Sequence, residues 1–97
     1  MRLSERLKCA IVEAVRQSFG EVEVTLFGSR VDDDKKGGDI DLAVDSDFTH
    51  QQFRKKRAQF LSNLLYKGLD LKIDLIQLTD ADALLRSEIT NQGVALR

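Results

Sequence analysis

Residues 28–45 read GSRVDDDKKGGDIDLAVD, and the fold follows from this stretch. Toward its end Ile40, Leu42 and Val44 alternate with Asp39, Asp41, Ala43 and Asp45, the period of a half-buried strand. Successive strand side chains point to opposite faces, so Asp39 and Asp41 share one face while the aliphatics turn toward a core. Upstream, Val22, Val24 and Leu26 alternate with Glu23 and Thr25 and run through Phe27 into a Gly28-Ser29 turn. Downstream, Leu69, Leu71, Ile73 and Leu75 take one face of a later strand and leave Asp70, Lys72 and Asp74 on the other. The third acid, Asp74, therefore comes from a neighbouring strand. Three carboxylates a few ångströms apart repel and raise each other's proton affinity unless a cation sits among them. An all-oxygen site suits magnesium, and a pair of such ions suits in-line phosphoryl chemistry.

Between Ser29 and Asp39 the chain has no apolar periodicity, and an exposed loop is expected there. A Gly-Ser turn opening a helical turn presents backbone amides and a hydroxyl to phosphate oxygens. Arg30 leaves two readings open, a phosphate contact or a solvated side chain. Asp32, Asp33 and Asp34 lack the alternate spacing and the twelfth-place glutamate of an EF-hand and read as a solvated acidic loop. Gly37 and Gly38 allow the sharp turn that brings Asp39 into register.

The Gly28-Ser29 turn, a nine-residue spacer, Asp39-Ile40-Asp41, and Asp74 within KIDLI resemble the signature of the DNA polymerase beta-like nucleotidyltransferase superfamily. At 97 residues the chain is similar to the minimal nucleotidyltransferases, palm-only members commonly partnered with a helical HEPN-type protein. The resemblance implies an α/β (α+β) palm, a small mixed β-sheet with helices packed on one face and the acidic face left open. It implies that Asp39 and Asp41 hold two Mg2+ ions with Asp74 completing the shell of the catalytic one. Gly28, Ser29 and Arg30 would bind the phosphates of a nucleoside triphosphate. The implied reaction moves AMP from ATP to a hydroxyl, a tyrosine of a HEPN toxin, which makes the chain an antitoxin. Two rivals are a small-molecule nucleotidyltransferase of the aminoglycoside-modifying type, which ordinarily brings a helical second domain, and a non-catalytic module that neutralises its partner by covering it.

A chain of this length builds one domain, residues 1–97, around one modest core. The larger relatives grip base and acceptor with further domains, so the missing surface is expected from a HEPN-type partner or a second copy. With 15 basic and 16 acidic residues there is no global drive toward nucleic acid or an anionic membrane, and nothing that would clamp a duplex for template-directed synthesis. One cysteine excludes an intrachain disulfide and fits a reducing cytoplasm. No apolar run approaches a membrane span and the first residues do not read as a signal peptide, so a soluble, cytoplasmic protein is expected.

The remaining segments supply the frame. Leu3, Leu7, Ala10, Ile11, Ala14 and Val15 recur at helical spacing, with Ser4 as the N-cap and Gly20 as the stop. Cys9 lies off that stripe, in a packing role. Asp45 and Asp47 read as surface residues. Thr49 with Gln52 fits a capping box, and Phe48 with Phe53 a hydrophobic staple. The helix they open carries Phe53, Phe60, Leu61, Leu64 and Leu65 on one face and stops at Gly68. A helix of this length joining two strands favours a parallel pair with a right-handed crossover, which sets Asp74 beside Asp41. The Arg54-Lys55-Lys56-Arg57 run spreads around the helix and reads as solvated surface, with contact to a nucleotide, RNA or an acidic partner as the second reading. His50 reads as structural or exposed, and Tyr66 as a packing residue, with acceptance of a nucleotide in self-modification as the second reading if it is exposed. Thr79 and Asp82 form another capping pair ahead of a stripe of Ala81, Leu84, Leu85 and Ile89, and Val94-Ala95-Leu96 forms a brief edge strand.

Overall fold

The computed structural model describes residues 5–27, 40–70 and 72–96. Among these residues the elements run α1 (Glu5–Phe19), β1 (Val24–Phe27), β2 (Ile40–Val44), α2 (His50–Tyr66), β3 (Ile73–Gln77), a short 3-10 turn (Leu78–Asp80), α3 (Ala83–Gln92) and β4 (Val94–Leu96). Ser4, expected as the first N-cap, lies outside the described residues.

The strands form one mixed sheet in the order β3-β2-β1-β4. β1 pairs antiparallel with β2 and with β4, while β2 and β3 run parallel. The parallel pair is what the intervening helix demanded, because a short hairpin cannot join strands that point the same way. The three-residue β4 takes the edge beside β1, as expected of a brief edge strand.

The main core lies between the sheet and the first two helices. Val24, Leu26, Ile40, Leu42, Val44, Ile73 and Leu75 supply the sheet side; Ile11, Ala14, Val15 and Phe19 come from α1, and Phe60 and Leu64 from α2. Phe19 closes this core against the entry to α2, with ring centroids 6.2 Å from Phe48 and 5.6 Å from Phe53. The capping box is present: Gln52 N–H donates to Thr49 Oγ1 at 3.1 Å, and Thr49 N–H donates to Gln52 Oε1 at 3.1 Å. At the other end Gly68 adopts φ 84, with Leu69 N–H donating to the Leu64 carbonyl and Gly68 N–H to that of Leu65. This is the left-handed glycine stop that lets α2 turn directly into β3.

Several expectations are corrected at the periphery. Leu65 and Leu84 were assigned to apolar stripes but are 58% and 85% exposed, and Tyr66, read as packing, is 97% exposed. Leu65 and Tyr66 follow Leu64 by one and two positions and Leu84 precedes Leu85 by one, and a helix turns about 100° per residue, which carries each away from the residue that reaches the core. Cys9 is exposed rather than packed. Asp82 is itself the N-cap of α3, accepting from Leu85 N–H at 2.8 Å, while Thr79 donates instead to the Ser46 carbonyl at 2.8 Å.

The acidic face of the sheet carries a cover of its own. Phe27 and Ala43 are buried on it against Ile89 of α3, with Ile76, Leu78 and Leu85 packed around them. Two helices thus lie on the main core face, and α3 occupies part of the face expected to be open. Gly93 makes the return from α3 possible. A Cβ there would run into the Ile89 carbonyl and the Thr25 methyl. The Ile89 carbonyl is backbone and accepts the Gly93 N–H, so it cannot move aside cheaply. Gly93→Ala is expected to cost about 1–3 kcal/mol by overpacking, read as a lower midpoint in urea with an unchanged slope.

Candidate functional site

On the face opposite the main core, side chains of alternate phase form rows across the sheet. The strand register sets Phe27 opposite Asp41 and Asp41 beside Asp74. The next row sets Thr25 opposite Ala43 and Ala43 beside Ile76. The second row is apolar and supports α3, whereas the first carries the acids. Asp41 and Asp74 each hold the second position of their strand, so the pair marks the N-terminal end of β2 and β3. β1 finishes and β2 starts at that same end.

The backbone bonds fix this pairing. Ile40 N–H donates to the Lys72 carbonyl at 2.9 Å, locking the first step of the parallel ladder immediately before the acids. Val44 beside Gln77 closes the register at the far end. A slip of one residue would turn Asp74 into the core and Ile73 into solvent, so the apolar phase of both strands defends the acid pair. Asp41 is half-buried and Asp74 is exposed on the edge strand.

Of the predicted trio, the structure brings Asp41 and Asp74 side by side; Asp39 lies outside the described residues, as do Gly28, Ser29 and Arg30. Among the described residues no three acidic, histidine or cysteine side chains converge to hold a metal ion. The described pair nonetheless suits a hard cation. Adjacent strands lie about 4.8 Å apart, and two oxygens ~2.1 Å from one Mg2+ are at most about 4.2 Å from each other. Neighbouring carboxylates of this kind can approach to that separation by rotamer choice alone. Their mutual repulsion favours a cation between them.

The other candidates fall elsewhere. Lys56 lies with its Nζ 4.6 Å from the Phe48 ring centroid, which ties one member of the basic run to the α2 entry; Arg54 and Lys55 are exposed. His50, Asp45 and Asp47 are exposed.

Two features escaped the sequence reading. Phe27 walls the site beside Asp41, and Gln77, only 1% exposed, ties the chain before α2 to the end of β3. Gln77 Oε1 accepts from Ser46 Oγ at 2.7 Å and from Phe48 N–H at 2.6 Å, while Nε2 donates to the Phe48 carbonyl at 2.9 Å and to Asp80 Oδ2 at 3.1 Å. The signal for Phe27 was present, since Phe27, Ala43 and Ile76 are apolar at the phase that otherwise carries polar residues.

The family model described as Polymerase beta, Nucleotidyltransferase matches residues 11–97. No curated protein matches the chain. Among solved structures, one described as a toxin-antitoxin with AMP-PNP is similar at 26% identity and TM-score 0.71, over 93% of this chain and 72% of that one. A tyrosine-to-alanine mutant of the toxin-antitoxin MntA-HpeT is similar at 27% identity and TM-score 0.63, over 90% of this chain and 68% of that one. A mutant of the same pair with two Asp-to-Glu changes shares the fold at 24% identity and TM-score 0.72, over 93% and 72% of the two chains.

Proposed function

The chain belongs to the polymerase beta nucleotidyltransferase family, and we propose that it transfers AMP from ATP to a tyrosine of a helical, HEPN-type toxin partner, acting as the antitoxin. The observation that carries the chemistry is the register that sets Asp41 beside Asp74. The partner reading is supported by the likeness to chains from toxin-antitoxin structures, one of them with AMP-PNP.

In this reading Asp39 and Asp41 would hold two Mg2+ ions, with Asp74 completing the shell of the catalytic one, and the chemistry they would supply is neutralisation of charge on the triphosphate and on the leaving group. The Gly28-Ser29 turn and Arg30 bind the β and γ phosphates and orient the triphosphate for in-line displacement. Asp74 takes the proton from the acceptor hydroxyl. The freed oxygen attacks the α-phosphorus, a new phosphorus–oxygen bond forms, the α–β bridge breaks, and pyrophosphate leaves. Phe27 walls the acid row and limits water beside Asp41.

The test is incubation of the purified chain and its helical partner with Mg2+ and ATP labelled at the α-phosphate. Label is expected on a partner tyrosine, with pyrophosphate released in equal amount. Label on a small molecule, with none on the partner, would reject the protein acceptor while preserving nucleotidyl transfer.

A further inference from the structure

The acid row is closed at one end and open at the other. At its β1 end Phe27 is buried, 7% exposed, against Ile89 of α3. At its β3 end Asp74 is exposed on the outer strand of the sheet. Lys72 stands on that open flank. Its neighbour Ile73 turns into the main core, so the alternation of an extended chain puts Lys72 on the face of Asp74, two residues away. Its backbone is fixed there, because the Lys72 carbonyl accepts the N–H of Ile40, the residue before Asp41, at 2.9 Å.

Among the described residues whose phase puts them on this face of the sheet, Lys72 is the one cation. Asp70 and Asp74 flank it at the same phase, yet it makes no ion pair among the described residues, whereas Lys8, Arg16 and Lys67 each pair with a glutamate. Same-face residues of a strand lie about 7 Å apart, a span that a lysine side chain bridges. A molecule bound at the Asp74 carboxylate therefore meets an exposed ammonium that no acid has claimed.

In-line displacement puts the attacking oxygen and the departing pyrophosphate on opposite sides of the α-phosphorus. The reading above gives the phosphates to the turn after β1, and Phe27 walls that end of the row, so the acceptor hydroxyl enters over β3. We propose that Lys72 is a catalytic residue for the acceptor: its ammonium contacts the tyrosine oxygen and holds the developing phenolate for attack. This rests on the transfer reading and deepens it. A tyrosine hydroxyl ionises near pH ~10 and arrives neutral, while an opposite charge within about 4–6 Å favours the anion by roughly tenfold or more. The neighbouring carboxylates oppose that anion, and Lys72 offsets them. Lys72 supplies charge alone. The phenol proton goes to Asp74, the oxygen–phosphorus bond forms as the α–β bridge breaks, and pyrophosphate leaves.

The experiment measures AMP transfer to the helical partner carrying either tyrosine or ring-fluorinated tyrosine, a more acidic phenol of nearly the same shape. Native chain, Lys72→Met and Lys72→Arg are compared. Lys72→Met is expected to lose at least about tenfold in kcat on tyrosine, and the loss is expected to shrink to about threefold or less on fluorotyrosine, which needs less help to ionise. Lys72→Arg keeps the charge and is expected to keep most of the native rate. Manganese binding with AMP-PNP is expected to be no weaker in Lys72→Met than in the native chain. Equal losses on the two acceptors would overturn the role and make Lys72 a brace for Asp74. A native rate in Lys72→Met would overturn it too, as would weaker manganese binding, which puts the side chain on the nucleotide instead. In each of those cases the native chain still labels its partner and the transfer reading stands. If the native chain labels neither acceptor, the transfer reading falls and the role of Lys72 falls with it.

Discussion

Asp74→Asn is expected to slow nucleotidyl transfer by about a thousandfold, close to 4 kcal/mol of transition-state stabilisation, while the fold is retained. Asp74 projects from the edge strand on the face away from the main core, and Asn preserves its size. The loss combines a missing proton acceptor with a weaker grip on the cation, two effects that overlap because both act on the same step. Asp41→Asn should match it in rate. The double substitution should cost little more than either alone, because residues that act as a unit are not additive. A variant that transfers AMP at the native rate would remove Asp74 from the chemistry.

Gln77→Leu is expected to be the most damaging of the changes that leave the acids untouched. The substitution roughly keeps the volume but strands the Phe48 N–H and carbonyl, along with the Ser46 hydroxyl, in a partly buried setting. Orphaned buried groups cost about 1–3 kcal/mol each; some will find water, so a total of about 3 kcal/mol is expected. For a chain of this size that lowers Tm by about 10–20 °C. Gln77→Glu should be as damaging near neutral pH, because the Nε2 donors to the Phe48 carbonyl and Asp80 are lost and a second carboxylate faces Asp80. A change of only a degree or two in either variant would show that the latch contributes little.

The positions of these two residues also explain what could be read in advance. Asp41 and Asp74 were legible because they interrupt aliphatic alternation, which fixes both the strand and the face. Their pairing followed from the helix between them, since its length requires a parallel return. The capping box at Thr49 and the stop at Gly68 were equally local and equally readable. Gln77 was not, because its partners are mostly about thirty residues earlier in the chain and a glutamine ending a strand carries no mark of burial. The cover by α3 was half-visible in the odd-phase apolar residues Phe27, Ala43 and Ile76. What was missing was the direction from which the last helix returns, which depends on Gly93 and on β4 pairing beside β1. Leu65 and Leu84 were assigned inward by their place in apolar stripes, and Tyr66 by a default packing role. Spacing from Leu64 and Leu85 sets them outward.

The most direct measurement is manganese binding followed by electron paramagnetic resonance, in the presence of AMP-PNP, for the native chain and for Asp41→Asn and Asp74→Asn. The native chain should bind the ion with its nucleotide, and each variant should bind at least tenfold more weakly. Equal occupancy in all three would contradict a cation held between the paired carboxylates of β2 and β3.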